Sequence, residues 1–247
     1  MARRAVLRHL LDAPCRPRLR HPVVAAQGHW LDSYTPEGHV KINRGILALI
    51  VTVCIWGSTP AVTKSALADI GPFTMILLRF SLAYLLLLPF ALRQGYRLRH
   101  SFEPRVFLYG FTGIVLFFGF QNIGLLFTSA VSTVLVQSIV PATTALFACA
   151  FLGERLSWKR VLGIALALGG SVLVALTTRS AQAGSNPLLG NLLVFGSVLA
   201  WGVYTTQGKR LAGHMAPLAL TVASFGSALL VLLPITAWEI ANQGWPT

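Results

Sequence analysis

The sequence predicts an all-α polytopic membrane protein made of inverted five-helix repeats, of which the first is complete and the second partial. Hydrophobic residues make up 55% of the 247 residues and charged residues only 11%, whereas about 25% of the residues in a typical soluble domain are charged. A soluble protein of this length would need a charged exterior, so the lipid bilayer is the predicted solvent. The segment 45–89 also recurs at 190–234, an offset of 145 residues, with 13 of the 45 aligned positions identical.

The repeat contains identities that an excess of Leu and Ala does not explain. These aligned pairs are Trp56 with Trp201, Gly57 with Gly202, Lys64 with Lys209, Pro72 with Pro217, Phe80 with Phe225 and Pro89 with Pro234. A recurrence at one fixed offset indicates two copies of one structural unit. Because Thr247 aligns with position 102 of the first copy, we expect the second copy to lack the later helices of the first.

Seven segments are apolar over about the 20 residues that a membrane-spanning helix needs. They are 45–63, 73–92, 106–127, 130–152, 161–178, 188–207 and 216–237. The first five helices form a first repeat at 44–178, and the last two form a partial second repeat at 188–247. The connections are short, so neighbouring helices are expected to run antiparallel. Five helices precede the second copy, and this odd number inserts the two copies into the membrane in opposite senses.

Residues 1–43 differ from the rest of the chain. They contain Arg, His, Pro and Asp but no sustained apolar run, which predicts a basic, disordered cytoplasmic extension. A secretory signal would need an apolar stretch of about 7–15 residues behind its charges. The stretch 5–11 does not meet this requirement, because Arg8 and His9 interrupt it.

The net charge of +13 is interpreted as a topology signal, and no nucleic-acid partner is expected. A nucleic-acid interface would require a basic stripe with interleaved aromatic residues, which the sequence lacks. Counted from a cytoplasmic N-terminus, 17 Lys and Arg residues lie on the inner side, and two, Lys64 and Arg179, lie on the outer side. This bias predicts a multi-pass protein of the cytoplasmic membrane with its N-terminus inside and lipid as a partner.

The residue patterns that metal sites and enzymes need are missing from the sequence. The three cysteines, Cys15, Cys54 and Cys149, are far apart and lack CxxC spacing, so no metal site is predicted. There is no HExxH, GxSxG, P-loop or GxGxxG motif. No carboxylate pair lies within an apolar segment, and Glu154 and Glu239 are expected at the membrane interfaces. We therefore expect neither catalysis nor a cofactor.

Several short motifs follow one another along the first five predicted helices. They are Trp56-Gly57-Ser58-Thr59-Pro60 with Lys64, Pro72 with Arg79-Phe80, Gly124-Leu125 with Thr128-Ser129-Ala130, Pro141, and Gly153-Glu154-Arg155-Leu156. In this order and spacing the motifs resemble the EamA family of the drug/metabolite transporter superfamily, over about 44–236. Members of that family usually have ten helices in two inverted halves. The resemblance implies a carrier that moves small metabolites, amino acids or drugs by alternating access and needs no cofactor.

The sequence departs from the family pattern in two ways. It has seven predicted helices, and Ser224 stands at the second-copy position of Arg79. Two alternatives to a carrier stay open: a truncated EamA fragment that does not transport, and a membrane enzyme or receptor. A truncated chain is expected to insert poorly, to be degraded, or to associate with another copy of itself, because its third and fourth helices lack inverted partners.

Arg79 is the most informative single residue for a binding site. It lies seven residues into the second predicted helix, about 10 Å along it. A charge within a helix costs about 2.5–3.5 kcal/mol on membrane-insertion scales, so this side chain should face protein or water. Its function is either to bind an anion, such as a substrate carboxylate, or to cap carbonyl groups as a structural arginine.

Two pairs of repeated residues are further candidates. Trp56 and Trp201 lie eight residues deeper than Lys64 and Lys209, which end the same helices. That depth is too great for an interfacial belt, and it favours a cavity wall that contacts substrate or a packing role beside the neighbouring glycines. The two lysines are either interfacial anchors or gating contacts near each mouth.

Polar residues in the third and fourth helices complete the candidate site. Gln121, Asn122 and Gln137 either line a substrate cavity or join helices through hydrogen bonds. Pro141 lies within the fourth helix, where its missing N–H group is expected to produce a kink.

Reporter fusions test the predicted topology. Fusions at Gly95, Ser157 and Leu211 should report the cytoplasm, and fusions at Gln182 and Gln243 should report the outside, because of the Lys and Arg bias. Paired reporters that are active on opposite sides of the membrane give this measurement. A cytoplasmic signal at Gln182 would contradict the inverted arrangement.

Overall fold

The computed structural model describes residues 44–154, 157–177 and 184–243, and these form seven long helices. The helices are α1 (Arg44–Ala66), α2 (Pro72–Arg93), α3 (Pro104–Phe127), α4 (Ala130–Leu152), α5 (Trp158–Thr177), α6 (Pro187–Leu211) and α7 (Pro217–Gln243), with a short 3-10 helix at Leu98–Phe102 before α3. The predicted all-α polytopic class is confirmed. The predicted extension at 1–43 lies outside the described residues.

Six of these helices are long and apolar enough to cross a membrane, namely α1 to α4, α6 and α7. Each overlaps its predicted segment, although α1 and α6 begin or end a few residues beyond the predicted bounds. Helix α5 spans 20 residues, and its crossing of the membrane stays a prediction. Lys64 lies in the last turn of α1, and Lys209 lies in the last turn of α6.

Two helices depart from regular α geometry. Helix α3 contains a π-helical segment at Phe111–Leu116, where each turn is wider than in an α-helix. Helix α4 is interrupted between its two regular parts, Ala130–Gln137 and Val140–Leu152. Pro141 lies in the first turn of the second part, so the interruption falls beside it, and the kink expected from its missing N–H group stays a prediction. A proline at that position leaves no amide in need of a helical acceptor.

Helix α3 is the most buried of the six spans: 61% of its apolar 18-residue stretch lies inside the protein, and burial of the other spans is given over the same length. It packs against α6 and α7, while α2 packs along α7 and α4 packs against α6. The backbones of α3 and α6 touch at two glycines, since a Cβ atom on either Gly124 or Gly190 would lie 2.9 Å from the carbonyl oxygen of the other. In lipid, such close backbone approach through small residues provides much of the packing between helices.

Repeat counterparts meet each other at the interface between the two copies. The rings of Trp56 and Trp201 are 5.3 Å apart, and those of Phe80 and Phe225 are 5.1 Å apart. Under a two-fold axis, only residues near the axis contact their own counterparts. Both pairs therefore lie where an inverted repeat would place the axis, between α1 and α6 and between α2 and α7.

The two repeats are buried to different extents. Residues inside the protein make up 6% of the α1 span but 33% of its counterpart α6, and 17% of α2 but 44% of α7. The reason is that α3 and α4 cover α6, and α3 also covers α7. Within the described ranges, no helix gives α1 and α2 the equivalent cover. Leu49, Val53 and Ile55 on α1 are consequently more than 60% exposed.

The glycine contact predicts a position-specific loss of stability. In Gly124→Ala the new methyl group must push Val194 or the Gly190 carbonyl away, at a cost of about 1–3 kcal/mol for overpacking. We expect a lower unfolding temperature, measured by intrinsic tryptophan fluorescence in detergent. Gly169→Ala is the matched control, because a Cβ atom there meets nothing within 4 Å. Equal unfolding temperatures for the two variants would contradict the packing described.

Candidate functional site

An aromatic cluster occupies the interface where α1, α3 and α6 meet. The Trp201 ring lies 5.3 Å from Trp56, 4.8 Å from Phe117 and 5.0 Å from Tyr204. Tyr204 in turn stacks on Tyr109 of α3 at 4.3 Å. Trp56 is 46% exposed, and a substrate contact of either tryptophan stays a prediction. Their contact joins the two repeats and forms an extended apolar wall.

Arg79 lies at the edge of the aromatic cluster. Its guanidinium carbon is 5.1 Å from the ring centre of Phe118 and 6.0 Å from that of Phe80. A guanidinium over an aromatic face is attracted by the negative charge of the ring surface, but this attraction does not neutralise the cation. Within the described ranges, the only ion pairs are those of Glu154, so no carboxylate compensates Arg79.

A small pocket opens beside Arg79 between α1, α2 and α3. Its lining consists of Thr63, Met75, Ile76, Arg79, Phe80, Phe118 and Asn122. The pocket has room for about one water molecule. A metabolite would therefore enter only if α1, α2 and α3 moved apart.

The predicted polar residues of α3 are both buried, yet they differ in their contacts. Asn122 is 3% exposed, and its Nδ2 group donates a 3.0 Å hydrogen bond to the carbonyl oxygen of Pro72 at the start of α2. Gln121 is equally buried, and its Oε1 atom has no hydrogen-bond partner in the described part of the chain. A buried acceptor without a partner costs about 1–3 kcal/mol. Asn122 joins Arg79 in the pocket lining, whereas Gln121 does not.

Gln137 and Pro141 lie away from this pocket. Gln137 is half-buried and ends the first part of α4, and Pro141 is exposed near the start of the second part. Neither lines the pocket beside Arg79. A role for Gln137 in binding stays a prediction, as does gating by Pro141.

The repeated lysines bind helix ends on opposite faces of the protein. The Lys64 ammonium donates to the carbonyl oxygen of Leu125 in the last turn of α3. The Lys209 ammonium is 2.7 Å from a carboxylate oxygen of Glu154, directly after α4. Consecutive helices α3 and α4 run in opposite directions, so their ends lie on opposite faces. Lys64 thus joins two helices of the first copy, and Lys209 joins the second copy to the first. Both contacts add to the expected anchoring.

The Glu154 turn is joined to α6 by more than one cation. Arg210 donates a 2.8 Å hydrogen bond to the carbonyl oxygen of Phe151 in the last turn of α4, and Arg160 lies 3.9 Å from the Glu154 carboxylate. The contacts of Lys209 and Arg210 place the Gly153-Glu154 motif against the end of α6, whereas Arg160 belongs to α5. The sequence gave no signal for the Lys209 contact.

The role of Glu239 was not predicted from the sequence. This residue lies in the last part of α7, as expected for an interfacial position, but it is only 3% exposed. Its carboxylate accepts hydrogen bonds from the N-terminal amides of α2. The one local signal was Gly71 before Pro72, a helix start without a Ser, Thr, Asp or Asn cap. That signal does not identify a partner 165 residues away.

Comparisons with known proteins identify relatives of this chain. A sequence profile described as the EamA-like transporter family matches residues 43–176 and 188–246. The chain is 28% identical over 198 residues to an uncharacterized transporter of Archaeoglobus fulgidus, and this alignment covers 80% of the chain and 69% of that relative. No solved structure matches the chain.

Two further relatives have more specific names. A probable amino-acid metabolite efflux pump of Escherichia coli is 28% identical over 211 residues, covering 82% of the chain and 66% of the relative. A probable terminal-alkyne amino-acid exporter of Streptantibioticus cattleyicolor is 26% identical over 197 residues, covering 79% of the chain and 65% of the relative. The chain thus spans about two thirds of the length of these relatives. With the profile matching most of its residues in two segments, this multi-pass membrane protein belongs to the EamA-like transporter family.

Proposed function

We propose that the protein is a carrier that moves a small carboxylate-bearing metabolite across the cytoplasmic membrane, with its N-terminus inside. The uncompensated guanidinium of Arg79 carries this proposal, because it lies within a membrane span without a carboxylate partner in the described ranges. Arg79 is exposed at the surface of the described chain, and a cation within a span is costly unless it faces water, a partner or a ligand. A planar guanidinium is also well suited to hold a carboxylate through two parallel hydrogen bonds.

The surroundings of Arg79 favour a substrate with an apolar body. Phe80 and Phe118 flank the guanidinium, and the wall continues through Phe117 to Trp201. An amino acid or a related metabolite combines a carboxylate with an apolar side chain, and two relatives have names that refer to the export of such compounds. Alternating access then follows from separation of the two inverted copies at this wall, without a catalytic step or a cofactor.

The two lysine contacts provide a gating scheme for this carrier. Lys64 closes α1 onto α3 at one face, and Lys209 closes α6 onto the turn after α4 at the other face. Because repeat counterparts lie at opposite faces, release of one contact while the other holds would open one side at a time. This is the requirement of an alternating-access carrier.

The exposed face of α1 favours a second candidate, a chain that does not transport by itself. Only 6% of the α1 span is buried, and α1 lacks the cover that α3 and α4 give to α6. We propose that protein from another copy or another chain covers this face in an active carrier. Light scattering of the purified chain, corrected for bound detergent, measures the mass, and a stable monomer that transports rapidly would contradict this second candidate.

Substitution of Arg79 tests the proposed carrier. Arg79→Ala should reduce uptake by tenfold or more, because charge-assisted hydrogen bonds are worth about twice neutral ones. Arg79→Lys should restore only part of the activity, since a lysine lacks the planar fork. Uptake of a panel of radiolabelled amino acids into proteoliposomes measures the effect.

The matched control is Arg93→Ala, at the exposed end of the same helix. This variant should transport like the unchanged protein. Full transport by Arg79→Ala would disprove anion binding by that residue, and no transport by the unchanged chain would support the second candidate.

A further inference from the structure

The buried carboxylate of Glu239 binds the beginning of α2. One oxygen accepts a 3.1 Å hydrogen bond from the amide of Phe73. The other accepts 2.7 Å hydrogen bonds from both the amide and the hydroxyl group of Thr74. Glu239 is 3% exposed and Thr74 is 6% exposed, so these contacts are shielded from water.

The Glu239 carboxylate takes the place of an N-cap side chain at the start of α2. The cap residue of α2 is Gly71, which has no side chain to accept from the first amides. An N-cap oxygen usually accepts from the second or third helical residue, and these are the positions of Phe73 and Thr74. The negative charge also lies at the positive end of the helix dipole, where it is stabilised.

Gly71 is the residue that lets the carboxylate approach. A Cβ atom at this position would lie 2.6 Å from both Cδ and one oxygen of Glu239. The backbone of Gly71 has φ −61° and ψ 150°, a conformation open to any residue. Glycine is therefore needed here because a side chain would collide with Glu239, and not because of the backbone conformation.

This arrangement is absent from the second repeat. By the offset of 145 residues, Ala216 is the counterpart of Gly71, and Gln94 is the counterpart of Glu239. Gln94 is exposed at the end of α2. The Glu239 cap is consequently a feature of one end of the protein only, the end at which α2 begins and α7 finishes.

We propose that Glu239 is a positioning residue, which fixes the first turn of α2 and thereby holds Arg79 against the pocket between α1 and α3. Thr74 precedes Arg79 by five residues, about 7.5 Å along the helix. Met75, which follows Thr74, lines the pocket itself. Loss of the cap lets α2 move away from α1 and α3, and the pocket opens at this end. The role of Arg79 in this inference rests on the proposed function, whereas the closure of the pocket does not.

The carboxylate of Glu239 only accepts hydrogen bonds, whereas the side-chain amide of a glutamine would also bring a donor toward the amide N–H groups of α2. The charged groups near this end are Asp69, exposed in the turn before α2, Lys64, bound to Leu125, and Arg79 itself. The part of α7 described in the structure has Glu239 as its only charged residue. No ion pair joins Glu239 to a described basic residue.

Labelling of a cysteine in the pocket tests the proposal without a need for transport. In the purified full chain in nanodiscs, with Cys15, Cys54 and Cys149 replaced by alanine, Met75→Cys reports opening through its rate of reaction with a water-soluble maleimide. Glu239→Gln and Gly71→Ala should each raise this rate about tenfold, given the strength of hydrogen bonds to charged groups. The double variant should react no faster than either single variant, because both changes act on one contact.

Matched controls separate positioning from general loosening. Ala216→Gly and Gln94→Ala change the counterpart positions and should leave the rate unchanged. Ala68→Cys, exposed in the turn before α2, should react at the same rate in every background and corrects for differences between preparations.

Two results would overturn the proposal: unchanged labelling in both Glu239→Gln and Gly71→Ala, or an equal rise in the Ala216→Gly and Gln94→Ala controls. The outcome is distinguishable from a failure of the proposed function. If Arg79→Ala transports normally while the labelling differences persist, anion binding by Arg79 is disproved and the Glu239 cap stands.

Discussion

The structure depends on α3, a helix of the first repeat that also packs closely against α6 and α7 of the second repeat. Lipid offers apolar helices no hydrophobic reason to associate, so their packing must come from close fit and hydrogen bonds. Gly124 and Gly190 bring the backbones of α3 and α6 together, and α3 is the most buried span at 61%. Phe118 and Asn122 on this helix then face Arg79 across the pocket. A shift of α3 would therefore move the pocket wall and the repeat interface together.

The helices and the repeat were predictable because lipid simplifies the relation between sequence and structure. A span must be apolar over its whole length, so its extent follows from composition. The repeat adds long-range information that a single helix lacks, since Trp56 and Trp201 had to be structural equivalents. Their direct contact at 5.3 Å agrees with an axis that passes between them. The interruption beside Pro141 is likewise a local feature, because the proline lies in the first turn of the helical part that follows it.

The polar contacts between distant segments were not predictable from one sequence. Lys64 binds a backbone carbonyl of Leu125, and a carbonyl has no residue-specific signature. Glu239 was expected to meet water at an interface, yet it is buried against α2. Gln137 lies outside the pocket, because α4 packs mainly against α6 and contributes no residue to the pocket lining. Arg79 could be identified from the sequence because a charged residue within a membrane span is costly unless it faces water, a partner or a ligand.

The two copies of the repeat lie in opposite senses and contact each other near the middle of their helices. Spin labels at Ser65 and Arg210, which are repeat counterparts near the ends of α1 and α6, test this arrangement most directly by double electron–electron resonance. Each label lies nine residues beyond its tryptophan, about 13.5 Å along the helix. Opposite directions from the Trp56–Trp201 contact predict a separation on the order of 30 Å. A separation below about 20 Å would mean that the ends lie on one face, and it would contradict the inverted arrangement.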